Sequence, residues 1–165
     1  VLDLPTNVAG TITAHHLELT TDDILGDLLR PHNFCKPVAK RPEDRQALRQ
    51  AAVGGTSKFF LGSDSAPHPQ SKKECDGGCA GCFTAPFLLP ILAEIFEEEN
   101  ALERFEPFVS QYGAEFYGLP LNTGSITLAK RWGAVQHLTY SVDDPLVPYG
   151  NGRTFKWQID NVALP

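Results

Sequence analysis

The sequence predicts an α/β fold in which buried parallel strands alternate with helices. Three observations carry this. Phe59-Phe60-Leu61, within a strand expected over residues 58–63, is continuously apolar, as in a strand buried on both faces of a parallel sheet. The β-branched alternation Thr11-Ile12-Thr13 marks a second buried strand over residues 10–15. Between them, Pro42–Val53 reads as a helix. Pro42 suits its first turn, Glu43 and Asp44 follow near the positive end of the dipole, and Gly54-Gly55 ends it.

The other elements follow in order. Residues 17–29 read as a loop or short helix, with Thr20 or Thr21 as the cap before Asp22 and Asp23. Residues 33–38 are expected to form a short strand between the other two. Three strands in residues 1–64 cannot close a barrel, which takes about 250 residues, and their edges would stay unpaired unless strands come from elsewhere. Residues 65–84 form a loop rich in Gly, Pro and Cys, too long for a passive connection. Residues 85–165 begin with helices over 87–98 and 102–112, the second ended by Gly113. They finish with strands over 137–142 and 153–159, the latter after a Gly150-Asn151-Gly152 turn, as a cover packed on the sheet. The 165 residues are read as one domain.

Composition narrows the function. With 42% hydrophobic and 21% charged residues, a packed core is within reach. Fourteen basic against twenty acidic residues, net charge −6, argue against a nucleic-acid partner and against a polybasic membrane anchor. Pro86, Pro90 and Glu94 interrupt the longest apolar stretch, and no run reaches the ~20 residues that span a bilayer. No basic n-region opens the chain, so a cytoplasmic protein is expected. The absence of methionine points to a piece of a longer polypeptide.

Asp64 stands where the strand over 58–63 runs out, the position at which α/β barrels build active sites. A carboxylate there can ligate a metal and carry a proton; it can equally cap the turn that begins at Ser65. His68, after Pro67, can bind metal, move protons or hold a substrate carboxylate, or be an exposed loop histidine. His15 and His16, read as strand neighbours, would point to opposite faces and not share one metal. His32 and His137 have no readable companions. Cys75, Cys79 and Cys82 have the C-x3-C-x2-C spacing of a three-thiolate iron–sulfur site, as in radical enzymes that use S-adenosylmethionine. Against that stand Gly81, where an aromatic residue is usual, the late position of the loop, and the lack of a Gly-rich S-adenosylmethionine site. A zinc site with Cys35 as fourth ligand, or free cytosolic thiols, are the other readings.

The run Phe60-Leu61-Gly62-Ser63-Asp64-Ser65-Ala66-Pro67-His68, followed by Lys72-Lys73-Glu74 and Cys79-Ala80-Gly81-Cys82, resembles dihydroorotase of the single-function bacterial and fungal type. Thr11-Ile12-Thr13-Ala14-His15-His16-Leu17, Arg30-Pro31-His32-Asn33-Phe34-Cys35-Lys36-Pro37, Phe96-Glu97-Glu98-Glu99-Asn100-Ala101-Leu102 and Phe116-Tyr117-Gly118-Leu119-Pro120 extend the resemblance, in the family's order, over nearly the whole chain. The resemblance implies the C-terminal part of a TIM-type (β/α)8 amidohydrolase barrel, about strands six to eight plus a C-terminal cover. It implies reversible cyclisation of N-carbamoyl-L-aspartate to L-dihydroorotate at two zinc ions. Asp64 would then bind one zinc and relay the proton between hydroxide and ring nitrogen. His68 and the Ala80 backbone amide would hold the substrate carboxylate, and Lys36 would contact the pyrimidine ring through its main chain. Bacterial relatives often carry an apolar residue at the Lys36 position, a change that a main-chain contact tolerates. On this reading the cysteines are not ligands.

The family's His-x-His, its carboxylated lysine bridging the zincs, two further metal histidines, and its substrate-binding arginine and asparagine lie upstream of the matching region. The resemblance therefore implies a chain that acts only when joined to a missing N-terminal half of the barrel, on a small-molecule substrate, in a possible homodimer. The competing expectations are a metal-binding module on the cysteine loop and a non-catalytic paralogue.

Overall fold

The computed structural model describes residues 1–131 and 140–164. Strands β1 (Gly10–Ile12) and β2 (Phe59–Leu61) pair in parallel, with Gly10 opposite Phe59 and Ile12 opposite Leu61. Between them run helices α1 (Ala14–Glu18), α2 (Asp22–Leu25) and α3 (Pro42–Val53). The βα alternation and the limits of α3 are those expected. Pro42 sits in the first turn of α3, and the Asp44 carboxylate accepts a 3.1 Å hydrogen bond from the Arg41 N–H, satisfying a donor the helix leaves open.

Three expectations need correcting here. Residues 33–38 form no strand: a 3-10 turn at Pro31–Asn33 leads into irregular chain, so two parallel strands are present among the described residues, not three. The Phe34 carbonyl is taken by Gly81 N–H and by Lys73, so it is not free for a strand ladder. The strand over 10–15 stops at Ile12, and Thr13 caps α1 by accepting from the His16 N–H, so His15 and His16 are helical. And β2 is not buried on both faces: Phe60 is buried while Phe59 and Leu61 are only half-buried, because a two-stranded sheet leaves both edges and part of each face uncovered.

The loop expected over 65–84 contains α4 (Gln70–Lys73) and is followed by a 3-10 turn at Ala85–Phe87 and by α5 (Leu88–Glu98). Helix α5 is the centre of the core. Its Ile91, Leu92, Ile95 and Phe96 are at most 1% exposed, which for each side chain is worth roughly 1.5–3 kcal/mol. The Phe96 ring meets Phe105 and Phe108 at centroid distances of 5.7 and 5.3 Å. Arg49 of α3 ties the layers together, donating to the Leu17 carbonyl (2.8 Å) and to the carboxylate of Glu98 (2.9 Å).

The helix expected over 102–112 is broken into a 3-10 turn at Leu102–Arg104, a π-helical turn at Pro107–Gln111 and α6 (Tyr112–Tyr117). Gly118, at φ 64°, ends α6, not Gly113. Gly113 instead faces Phe60, where a Cβ would lie 3.1 Å from the ring, so its missing side chain lets this helical segment pass close over β2. A second, antiparallel sheet pairs β3 (Ser125–Lys130), which the pattern did not reveal, with β4 (Trp157–Ala163), a few residues later than the strand expected over 153–159. Turns at residues 148–153 precede β4 as anticipated. Of the strand expected over 137–142, the first three residues, His137 among them, lie outside the described residues, and Tyr140 forms a single antiparallel bridge with Leu146. Arg153 clamps the carboxylate of Glu18 in α1 with two hydrogen bonds of 2.8 and 3.0 Å, and Tyr149 donates to it at 2.8 Å. This fastens the C-terminal part onto the first helix. No helix among the described residues is long and apolar enough to cross a membrane.

Candidate active site at the C-terminal end of the parallel strands

Because β1 and β2 are parallel, the residues that leave them emerge at the same end. From β2 the chain passes through Gly62, where a Cβ would lie 2.6 Å from Thr11 Cβ; only glycine lets the two strand ends lie this close. Asp64 follows at φ 39°, a left-handed backbone that aspartate tolerates at a cost of roughly 1–2 kcal/mol. Its carboxylate is exposed and makes no hydrogen bond or salt bridge among the described residues. With Thr11, Thr13, His16 and Pro37 it borders an open recess of about 500 Å³. A slightly larger cavity, about 600 Å³, lies where Leu89, Phe105 and Val109 face Ile126 and Trp157; it shares no residue with the Asp64 recess.

The chain after Asp64 runs alongside the end of the cysteine loop. Ser65 and Cys82 form a parallel bridge, and Ala66 N–H donates to the Cys82 carbonyl at 2.9 Å. Gly81 has φ 150°; a Cβ on it would lie 2.7 Å from Ala66 Cβ and 3.0 Å from His68 Cδ2. His68 is therefore packed against the residue that follows Ala80. Its ring nitrogens, the Ala80 N–H, and the N–H and carbonyl of Lys36 all lack partners among the described residues. The lysine side chain at 36 is exposed.

One residue of this region was not foreseen. Lys73, 3% exposed, points its ammonium at three carbonyls: Phe34 (3.0 Å), Cys79 (2.8 Å) and Gly81 (2.7 Å). Two of these flank Ala80, and the third lies two residues before Lys36. Burial pulls the Lys73 pKa down, opposed by attraction to the thiols of Cys82, Cys35 and Cys79. A lysine in a polar loop carries no signal in sequence that it will be buried.

The three thiols of the cysteine loop sit in different settings. Cys75 is exposed and donates to the Lys72 carbonyl, Cys79 is half-buried, and Cys82 is buried. Among the described residues, the group of His, Cys, Asp or Glu side chains with donor atoms all within 4.8 Å of one another is His15, His16 and Cys35. The expectation that His15 and His16 diverge is thus overturned: on the first turn of α1 their rings lie 4.6 Å apart and both reach Cys35. The hydrogen bond with Cys35 raises the His16 pKa, against burial and with help from the Pro37 carbonyl and Asp64. Cys82 is the main cause of a lowered Cys35 pKa, aided by His15 and His16 and opposed by burial. Cys82, paired with that sulfur and buried, is pushed up.

A parallel sheet whose strands end together beside an exposed aspartate has the arrangement of a segment of an α/β barrel, in which sites form at the C-terminal ends of the strands. No family model matches the chain. It is 50% identical over 154 residues to the dihydroorotase of Pseudoalteromonas atlantica, covering 93% of this chain and 45% of that one. The crystal structure of Saccharomyces cerevisiae dihydroorotase in complex with 5-fluoroorotic acid superposes with a TM-score of 0.87 at 40% identity, covering 98% of this chain and 46% of that one. The Campylobacter jejuni dihydroorotase structure gives 0.81 at 40% identity, over 93% and 45%. The chain spans about half the length of the curated relatives it matches. By sequence and by structure alike, it is similar to the C-terminal half of dihydroorotase.

Proposed function

We propose that the polypeptide containing this chain is a zinc-dependent dihydroorotase, interconverting N-carbamoyl-L-aspartate and L-dihydroorotate in de novo pyrimidine synthesis. The observation that carries the reading is Asp64, a carboxylate held just past the end of β2 in a left-handed backbone, open to a recess and making no hydrogen bond or salt bridge among the described residues. A carboxylate with no hydrogen-bond partner among the described residues fits a metal ligand that must also accept a proton. Zinc, when bound, would polarise the amide and supply hydroxide at neutral pH. Asp64 would hold one ion and carry the proton to the ring nitrogen, which leaves poorly as an anion. His68 and the Ala80 N–H would grip the substrate carboxylate, and the Lys36 main chain would bond the ring. Their donors and acceptors, without partners among the described residues, support these roles. One carboxylate cannot hold two zincs, so the chain would need the N-terminal half for the remaining ligands, including a carboxylated lysine, and would be inactive alone.

The test is dihydroorotate hydrolysis by the full-length polypeptide and its Asp64→Asn variant. The amide keeps the shape but neither the charge nor the basicity, so kcat should fall by about 10²–10⁴ if proton transfer passes through this group. Wild-type turnover in the variant overturns the assignment of Asp64, and a wild-type polypeptide without turnover overturns the enzymatic reading.

A further inference from the structure

We propose that His15, His16 and Cys35 form a binding site for a borderline-soft divalent cation, zinc above all, which does not use Asp64. Their donor atoms lie within 4.8 Å of one another, and two observations beyond this proximity point to a ligand. The first is His15. It is 0% exposed, yet neither ring nitrogen has a hydrogen-bond partner among the described residues. A buried imidazole left this way is costly, and a cation removes the deficit by taking one nitrogen as a ligand. The second is the spacing and support of the other two donors. His16 Nε2 and Cys35 Sγ are 3.6 Å apart. A tetrahedral zinc with nitrogen at about 2.0–2.1 Å and sulfur at about 2.3 Å requires an N···S edge of about 3.6 Å. His16 Nδ1 lies 2.7 Å from Thr13 Oγ1, the outer hydrogen bond that orients a ligating imidazole so that its far nitrogen meets the metal.

The protonation change is simple. Without metal, His16 Nε2–H donates to the Pro37 carbonyl 2.7 Å away and Nδ1 accepts from Thr13. With metal, the imidazole takes the other tautomer: Nδ1–H donates to Thr13, Nε2 gives its lone pair to the cation, and the proton that leaves is that of the Cys35 thiol. Two imidazoles and one thiolate are the donor set that a borderline-soft ion selects over magnesium or calcium. Bound metal would pin the start of α1 to the irregular segment around Cys35 and Pro37, and His16 and Pro37 both line the recess that Asp64 borders.

The experiment uses the full-length polypeptide. X-ray absorption at the zinc edge of the wild type should show a sulfur scatterer at about 2.3 Å. Replacing zinc with cobalt(II) should produce a thiolate-to-cobalt charge-transfer band in the near ultraviolet, lost in Cys35→Ser and kept in Asp64→Asn and Cys75→Ser. Metal content should drop by one ion per chain in Cys35→Ser and in His15→Gln. Absence of a sulfur scatterer from the wild type overturns the proposal without reliance on any variant's folding. A band that survives Cys35→Ser and disappears with Cys79→Ser overturns it in favour of the cysteine loop. Dihydroorotate turnover is read separately, so failure here is distinct from failure of the dihydroorotase reading.

Discussion

Lys73→Met isolates the buried clamp around Ala80. Methionine keeps most of the stem's volume and removes the charge and three donors. The Phe34 carbonyl stays satisfied, because Gly81 N–H also donates to it at 2.8 Å. The carbonyls of Cys79 and Gly81 have no other partner among the described residues, and orphaning each costs about 1–3 kcal/mol. Part of this is offset because the variant no longer buries an ammonium, a burial whose cost shows in the lowered Lys73 pKa. The net loss expected is about 2–4 kcal/mol, read as a lower urea midpoint at unchanged slope. If the clamp positions the Ala80 amide for a substrate carboxylate, KM for dihydroorotate should rise about tenfold with a smaller change in kcat. Lys73→Arg should not rescue either quantity, since a planar fork cannot aim at three carbonyls arranged for a point charge. A stability loss below about 0.5 kcal/mol would refute the packing argument. A full stability loss with KM unchanged would refute the link to substrate binding.

Two further outcomes test the geometry around the site. Gly81→Ala places a Cβ 2.7 Å from Ala66 Cβ in a backbone conformation that L residues rarely adopt; a loss of about 2–3 kcal/mol and a raised KM through displaced His68 are expected, and wild-type melting would contradict them. Acid should also unfold the loop region. Gln70 and then His32 hold the Glu74 carboxyl below its ordinary range, and the Ser71 hydroxyl and N–H do the same for Asp144. Both groups bind protons less readily when folded, so their contribution is present above the ordinary carboxylate pKa of about 4 and is lost as pH falls through the lower folded values. Melting curves between about pH 5 and pH 2 should show this, and Ser71→Ala should flatten the dependence; an unchanged slope in that variant would remove Asp144 from the account.

The candidate site residues were legible to different degrees for physical reasons. Asp64 could be placed at a strand end because a continuous apolar run stops just before it, and a strand's end is a local property. His68, Ala80 and Lys36 entered through the motifs that surround them. Lys73 and the His15–His16–Cys35 group were not legible. The first looks like any solvated lysine, and the second joins residues some twenty positions apart through a helix whose residues have the pattern of a strand.

The sequence by itself determined the parallel βα unit, the limits of α3, the Gly-rich loop beside the strand end and the kinship with dihydroorotase, because hydrophobic period, helix caps and motif order are local or linear signals. Only the tertiary structure decided that the Phe34 carbonyl goes to a buried ammonium and the Gly81 N–H instead of a strand ladder, that Gly113 serves close packing on Phe60 while Gly118 ends the helix, and that two adjacent histidines converge on Cys35. Each of these depends on which distant group reaches a backbone or side-chain atom first, and in a compact fold that competition is settled by packing.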